Sequence, residues 1–183
     1  KEIPELPDEK KKRFVDKFKL TPYEANILVS DIETSKYFED VIKNSDIKLA
    51  TNWITGELFA LLNDRNLEIS QSPISSKNLS TLVNLIKDGT ISGKIAKTVF
   101  EIMAKESKDP KIIIDEKGLK QQSDPKEIEK IVEDVIKDNP KNVELFKSGK
   151  DKLFGFFVGQ VMKKTDGKAN PKLVNDILKK KLN

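Results

Sequence analysis

The chain contains no histidine and no cysteine, and these two absences exclude much of enzyme chemistry. Without histidine it lacks the commonest general base and the commonest metal ligand. Without cysteine it has no disulfide and no thiolate nucleophile. Neither an Asp-x-Asp-x-Asp-Gly calcium loop nor a glycine-rich phosphate loop after a strand is present. We therefore expect no enzymatic activity from this chain alone, and neither a metal nor a cofactor bound to it.

Long apolar segments are also missing. No run approaches the roughly 20 residues that a membrane-spanning helix needs, and there is no signal peptide, so we expect no membrane partner. The cysteine-free composition fits the cytoplasm, which is where we expect the protein. The sequence begins with Lys1 and continues with the proline-punctuated lead-in 3–7. We interpret it as a piece of a longer chain.

Charge is plentiful and unevenly distributed. Of 183 residues, 35% are charged and 37% are hydrophobic, and the net charge is +4. Residues 141–183 contain eleven lysines and four acidic residues, so this segment carries +7 and the remainder carries −3. Lysine is a compact point charge that attracts phosphate without reading bases in the bidentate way of arginine. The pattern predicts an anionic partner at the C-terminal end.

Apolar residues recur at helical spacing along the whole chain, and no stretch alternates as a strand does. The class is therefore all-α. Helix starts are marked by a capping residue before proline, as at Thr21-Pro22, Asp124-Pro125 and Asn170-Pro171. Segment 66–75 is expected to be a loop. The predicted helices cover 7–18, from 22, from 34, 46–63, 76–87, from 93 to near 107–110, from 125, 140–147, 153–162 and 171–182.

Segment 111–123 is predicted to be an irregular hinge, because its three consecutive isoleucines are too short a run for a core helix. Two modules follow from it. We place a helical domain, with its N-terminal lead-in, at 1–117 and a small helical tail domain at 118–183. Their mutual orientation is not defined by the sequence.

Residues 153–162 are apolar on nearly every side, which predicts a helix buried by its neighbours. Gly155 and Gly159 share one face, and because glycine weakens a helix, we expect another backbone to pass close by. The aromatic residues Phe154, Phe156 and Phe157 are interpreted as core, although stacking on bases is the alternative.

Lysines gather around this apolar segment and the turn that follows it. We select six as candidate phosphate contacts: Lys150, Lys152, Lys163, Lys164, Lys168 and Lys172. The alternative is an ordinary solvated helix surface. We further expect the turn 165–170 to approach an RNA partner. The segment 90–97 resembles a phosphate loop only superficially, so we interpret Ser92 as a helix cap and Lys94 and Lys97 as exposed.

Several segments together resemble the C-terminal portion of the B subunits of glutamyl/aspartyl-tRNA amidotransferases, with a tail similar to YqeY proteins. The resemblance covers essentially the whole chain in order, and its most specific block lies within 148–171. The matching segments are Ile3–Pro7, Tyr37–Glu39, Asn52–Ile54, Ile91–Phe100, Glu116–Leu119, Ser148–Lys150, Leu153–Met162 and Gly167–Pro171.

The resemblance implies a role in converting Glu-tRNA(Gln) to Gln-tRNA(Gln), or Asp-tRNA(Asn) to Asn-tRNA(Asn). In that family ATP and Mg²⁺ serve to phosphorylate the carboxylate, and ammonia from a glutaminase subunit displaces the phosphate. The B subunit works with an amidase (A) and a small (C) subunit, and its catalytic residues lie in an N-terminal domain with no counterpart here. The resemblance thus implies a tRNA-binding part without catalytic residues. A helical protein-interaction module with no direct RNA contact remains the alternative.

Overall fold

The computed structural model describes residues 5–122 and 124–182, and these residues form an all-α structure, as predicted. Within the described ranges no strand forms, and a single isolated parallel bridge joins Gln122 and Ala169. The lead-in residues Ile3 and Pro4, and Ser123 of the predicted hinge, lie outside the described residues. The α-helices are α1 (Pro7–Phe18), α2 (Pro22–Leu28), α3 (Ile32–Ile42), α4 (Ile47–Asn52), α5 (Phe59–Asp64), α6 (Ser76–Lys87), α7 (Gly93–Glu106), α8 (Pro110–Lys117), α9 (Pro125–Asp138), α10 (Pro140–Lys147), α11 (Leu153–Lys164) and α12 (Pro171–Leu182).

Helix starts follow the capping signals of the sequence. At α2 the Thr21 hydroxyl accepts from the Glu24 backbone N–H at 3.2 Å. The Glu24 carboxylate in turn accepts from the Thr21 backbone N–H at 2.8 Å, which completes a capping box. These bonds satisfy backbone donors that have no partner inside the helix. Ser92 caps α7 in the predicted manner, since its hydroxyl accepts from the Ile95 backbone N–H at 3.2 Å.

The long predicted helix 46–63 is present, but it changes pitch in the middle. Between α4 and α5 the residues Trp53–Leu58 form a π-helical segment. Thr55 at this segment donates its hydroxyl to the Thr51 carbonyl at 2.8 Å. Such bonds to the preceding turn compete with the regular ladder and distort helices. The predicted loop 66–75 contains one short 3₁₀ turn, Ile69–Gln71.

The prediction that residues 111–117 are irregular is wrong, because they belong to α8. The Asp109 carboxylate accepts from the Lys111 backbone N–H at 2.8 Å and starts the helix ahead of Pro110. Ile113 and Ile114 are both buried. Burial of two large side chains by tertiary packing thus stabilises a helix too short to stand by itself. A hinge role for 111–123 stays a prediction.

The described residues belong to two compact units, each with its own core. The first comprises Lys1–Asp88 with Val99–Ile113, and the second comprises Gly89–Thr98 with Ile114–Asn183. The division of the sequence into domains at 117/118 stays a prediction.

In the first unit, aromatic rings form part of the core. Phe14 and Phe38 are fully buried, and their ring centroids lie 5.2 Å apart. Trp53 packs against Phe100 with centroids 5.6 Å apart. Helices α3 and α6 pack on each other and on α4. Burial of this apolar surface is the main stabilising term of the unit.

In the second unit, α9, α11 and α12 pack pairwise, and α10 packs on α9 and α11. Phe157 and Val161 of α11 lie at the centre of the core and are fully buried. The other buried residues of this core are Ile128, Val132, Val135, Ala169, Val174, Leu178 and Leu182. The core therefore covers one side of α11, and the opposite side is left uncovered.

Candidate nucleic-acid interface

Helix α11 is buried on one side only, so the prediction of burial all round is wrong. Phe157 and Val161 have 0% exposure, but Gly155 and Gly159 are exposed to solvent. A Cβ added at either glycine would meet nothing within 4 Å, so the close backbone neighbour that we predicted there is absent from the described residues. The reason is the number of packing partners. The few helices that surround α11 in this unit cover one side of it.

The aromatic residues of α11 have unequal environments. Phe157 is a core residue, as predicted, and Phe156 meets it edge-on with ring centroids 5.5 Å apart. Phe154 packs against Phe146 of α10 at 6.3 Å. Phe154 and Phe156 are half-buried, and both pack on the core of the second unit.

The exposed side of α11 has a simple composition. Lys152, Gly155, Gly159 and Lys163 are separated by three, four and four positions and are all exposed. This spacing puts them on one side of a helix. We call these four residues the α11 face. At about 1.5 Å rise per residue, its two lysines are anchored roughly 16 Å apart along the helix axis. The glycines leave the backbone between them uncovered.

The six predicted lysines form two groups at opposite ends of α11. Lys150 and Lys152 lie at its N-terminal end, and Lys163, Lys164, Lys168 and Lys172 lie at or beyond its C-terminal end. Lys168 is half-buried, and the other five are exposed.

One of the six differs from the rest by its ion pair. Lys164 contacts the Asp138 carboxylate of α9 at 2.8 Å. Within the described ranges no ion pair involves Lys150, Lys152, Lys163, Lys168 or Lys172. Neighbouring lysines on α11 therefore have different surroundings: Lys163 lies on the α11 face without an acidic partner, whereas Lys164 is directed toward α9.

The turn 165–170 is held by bonds to its own backbone and to the segment before α9. The Gly167 backbone N–H donates to the Met162 carbonyl at 2.8 Å, and both Asp166 and Gly167 have positive φ. Gln122 donates its N–H to the Lys168 carbonyl at 2.7 Å and accepts from the Asn170 N–H at 2.9 Å. The turn is thus fixed at both ends. Its approach to RNA stays a prediction.

Two buried or capping side chains complete this turn. Thr165 is buried, and its hydroxyl donates to the Val161 carbonyl at 3.0 Å and accepts from the Ala169 N–H at 3.3 Å. Asn170 caps α12 as predicted, since its side-chain oxygen accepts from the Lys172 backbone N–H at 3.0 Å. Lys172 therefore lies in the first turn of α12, at a defined position beside the end of α11.

Sequence reasoning missed Lys94 as a member of the C-terminal lysine group. It is exposed, as predicted, but its Nζ lies 3.5 Å from the Cβ that a side chain at Gly167 would carry. Both residues belong to the second unit. No local signal links these positions, because they are far apart in the chain. Lys94 therefore adds a further cation beside the turn that contains Lys168.

One lysine at the C-terminal end of α12, Lys181, is paired with acidic residues. Lys181 contacts Glu129 at 2.6 Å and Glu133 at 2.7 Å, both on α9. Its hydrogen bond to Glu129, followed by that to Glu133, raises the pKa of Lys181 above its ordinary value. The hydrogen bond from Lys181 lowers the pKa of Glu133. These contacts tie α12 to α9 at the surface and distinguish Lys181 from the lysines near α11 for which the described residues provide no ion pair.

The part of the chain that the structure describes contains no group of three or more acidic residues placed to hold a metal ion. Nor does any described helix have the length and apolarity to cross a membrane. The chemistry available at the α11 face is therefore electrostatic attraction by lysine together with contact to bare helix backbone.

Comparison with known protein families identifies the family of this all-helical chain. The family described as the GatB domain matches residues 36–182, most of the chain. The chain therefore belongs to this family.

Individual relatives agree with that assignment. The chain is 65% identical over 185 residues to the B subunit of an aspartyl/glutamyl-tRNA(Asn/Gln) amidotransferase from Pelagibacter ubique, covering 99% of this chain and 38% of that protein. A protein of the same name from Rickettsia rickettsii is 52% identical over 180 residues, covering 98% of this chain and 37% of that protein. The chain thus spans less than two fifths of the length of these relatives.

Proposed function

We propose that this chain is the tRNA-binding portion of the B subunit of an aspartyl/glutamyl-tRNA amidotransferase, and that it positions misacylated tRNA for transamidation in protein synthesis. The observation that carries the proposal is the set of five lysines at the two ends of α11 that form no ion pair in the described residues. The names of the relatives support tRNA as the anionic partner.

The charge chemistry suits a nucleic-acid backbone. Lysines that neutralise phosphates release condensed counterions, so the affinity falls steeply with salt and depends little on sequence. With lysine as the cation, discrimination among tRNAs must come from the shape of folded loops. The two lysine groups at the ends of α11 provide two separate contact points, and this spacing favours a partner long enough to reach both.

The rest of the proposed reaction belongs to the assembled enzyme. In this proposal, tRNA(Gln) or tRNA(Asn) binds this chain, while ATP and Mg²⁺ serve carboxylate activation elsewhere in the complex. The amidase (A) and small (C) subunits are the protein partners. The contribution of this chain is to hold the tRNA body while the acylated end reacts, a positioning effect of the kind that accelerates reactions by orientation.

The test is a titration of the chain with tRNA(Gln), tRNA(Asn) and a non-cognate tRNA at 50 and 200 mM salt. Five phosphate contacts predict a loss of affinity of about 10²-fold between the two salt concentrations. Binding preferential for the two cognate tRNAs is the expected result. No binding at 50 mM salt would overturn the proposal and favour the protein-interaction module.

A matched pair of variants tests the α11 face itself. Lys163→Gln and Lys164→Gln remove the same charge from adjacent positions, but Lys164 already contacts Asp138. We expect about a threefold loss of tRNA affinity at 200 mM salt for Lys163→Gln, the effect of one phosphate contact, and a smaller loss for Lys164→Gln. Equal losses would indicate a diffuse field of charge without contact at the α11 face.

A further inference from the structure

A cleft of about 610 Å³ lies where the chain passes from α10 into α11. Its size is within the range of small-ligand pockets. It adjoins the α11 face, because Lys152 belongs to both. The residues that line it are Leu145, Gly149, Lys150, Asp151, Lys152 and Leu153.

The shape of the cleft follows from the way α10 ends. Gly149 has φ +98°, and its backbone N–H donates to the Phe146 carbonyl at 3.0 Å. The Lys150 backbone N–H reaches back to the Leu145 carbonyl at 3.2 Å. A left-handed residue of this kind closes a helix end and favours glycine. The chain then continues into α11, and Leu145 and Leu153 both line the cleft.

The lining combines an apolar surface with two cations. Leu145 is 39% exposed, and in the described part of the second unit it is the large apolar side chain that remains exposed. Lys150 and Lys152 are exposed and, in the described ranges, carry no ion pair. Apolar surface flanked by ammonium groups complements a ligand with a flat, weakly polar body and an anionic edge. A nucleotide has this combination.

The lining also contains one acidic side chain, which restricts the kind of ligand that the cleft can bind. Asp151 is exposed between the two lysines, and no ion pair of the described residues involves it. A carboxylate only accepts hydrogen bonds. It therefore favours a base edge rich in N–H donors and repels a bare phosphate. Guanine presents two adjacent donors, N1–H and N2–H, on its Watson–Crick edge, whereas the other RNA bases present a single donor group there.

We propose that this cleft holds one unstacked nucleotide of the bound RNA, with guanine preferred. The base lies against Leu145 and Leu153, the Asp151 carboxylate accepts from its N–H donors, and Lys150 and Lys152 attract the flanking phosphates. Unstacked bases in loops are the usual targets of sequence-specific RNA recognition. The inference rests on the proposed function for the identity of the ligand as RNA, and it adds base selectivity to an otherwise sequence-blind surface.

The experiment uses the whole chain and three uridine pentamers whose central residue is guanosine, adenosine or cytidine. Affinities are measured by fluorescence anisotropy, and the amide signals of Gly149, Lys150 and Leu153 are followed by NMR. We expect the guanosine pentamer to bind at least fivefold more tightly than the other two and to shift these three signals. Equal affinities, or shifts confined to other residues, would overturn the inference.

Two variants separate base recognition from charge. Asp151→Asn removes a negative charge, so we expect all pentamers to bind somewhat more tightly while the guanosine preference falls below twofold. Asp176→Asn, at an exposed position of α12, removes the same charge away from the cleft and is expected to keep the preference. Retention of the preference in Asp151→Asn would contradict the inference. Leu145→Ser is expected to lower guanosine-pentamer affinity about tenfold.

The tRNA titration distinguishes the two proposals. Salt-sensitive tRNA binding that weakens in Lys163→Gln, without guanosine preference in the pentamers, overturns the cleft proposal and leaves the proposed function intact. Guanosine-selective pentamer binding with no tRNA binding at 50 mM salt supports the cleft as a nucleotide site and overturns the tRNA role.

Discussion

In the described residues, acidic and basic side chains of the first unit form ion pairs, whereas five of the six candidate lysines around α11 in the second unit form none. Arg13 contacts Glu5 at 2.6 Å and Glu39 at 2.8 Å, and the hydrogen bond to Glu5 raises the pKa of Arg13 above its ordinary value. Lys48 similarly contacts Glu24 at 3.0 Å. At α11, the lysines of the exposed face have no such partners in the described residues. A lysine that is already paired with an acidic residue contributes little attraction to an anionic partner. The number of lysines without an acidic partner therefore matters more than the total number of lysines.

The same contrast exists inside the second unit. Lys181 is held between Glu129 and Glu133, while Lys163 has no acidic neighbour among the described ion pairs. Both are exposed lysines near the C-terminal end of a helix, where a cation is favourable against the dipole. The two lysines therefore differ in their surroundings: Lys181 connects α12 to α9, whereas Lys163 is available to bind a ligand.

The largest expected effect comes from the core that holds the α11 face in place. Phe157→Ala removes a fully buried ring and is expected to lower the free energy of unfolding by about 3–5 kcal/mol. Phe156→Ala removes a half-buried ring and should cost clearly less. Denaturant unfolding followed by circular dichroism measures both. Equal costs would mean that the two sides of α11 are not as different as the structure indicates.

A smaller effect is expected at the capping box of the first unit. Thr21→Ala should lower the free energy of unfolding by about 1 kcal/mol, because a backbone donor of α2 loses its partner. Denaturant midpoints measure this change. Thr21→Ser keeps the hydroxyl and is expected to restore most of the loss.

The capping box also predicts a pH dependence. The backbone N–H of Thr21, followed by Lys48 and the Thr21 hydroxyl, lowers the pKa of Glu24 below its model-compound value of 4.5. A carboxyl group whose pKa is lowered in the folded state stabilises the fold above pH 4.5. This stabilisation is lost as the pH falls through the pKa of the folded state. Glu24→Gln should therefore flatten the acid limb of a stability–pH curve. An unchanged curve would contradict this assignment.

Glycine substitutions sharpen the comparison between exposed helix and constrained turn. Gly155→Ala and Gly159→Ala should each raise the free energy of unfolding by about 0.5–1 kcal/mol, since the added methyl meets nothing and alanine favours the helix. Gly149→Ala should instead be destabilising, because its φ of +98° is unfavourable for a side chain. Thermal unfolding distinguishes the signs. If Gly155→Ala is destabilising instead, this result would contradict the structure and support the close backbone neighbour that the sequence predicted.

The smallest effect on binding is expected for a lysine that is already paired. Lys181→Gln should leave the tRNA affinity nearly unchanged while the pKa of Glu133 rises toward its ordinary value, because its hydrogen-bond donor is lost. An NMR titration of Glu133 and the tRNA titration measure the two quantities. A loss of tRNA affinity as large as that of Lys163→Gln would remove the distinction between paired and unpaired lysines.

Local signals made much of the fold predictable. Thr21, Ser92 and Asn170 cap helices as expected, since each cap involves residues within a few positions of one another. Two of the wrong predictions have a common cause. Segment 111–117 becomes helical because Ile113 and Ile114 are buried, and α11 is half-exposed because its neighbours cover one side. Both outcomes depend on packing between elements, which apolar periodicity alone does not specify.

The all-α class, the helix starts, the basic C-terminal segment and the family resemblance can all be obtained from the amino-acid sequence, because they depend on composition and short-range order. Which lysines are available to bind an anionic partner depends instead on the folded chain. Lys164 finds Asp138, 26 residues away, and Lys181 finds Glu133, 48 residues away. Lys94 likewise reaches the turn at Gly167 from a distant helix. Pairing and exposure depend on which side chains the packing of helices brings together. The tertiary structure therefore decides which lysines form the candidate interface.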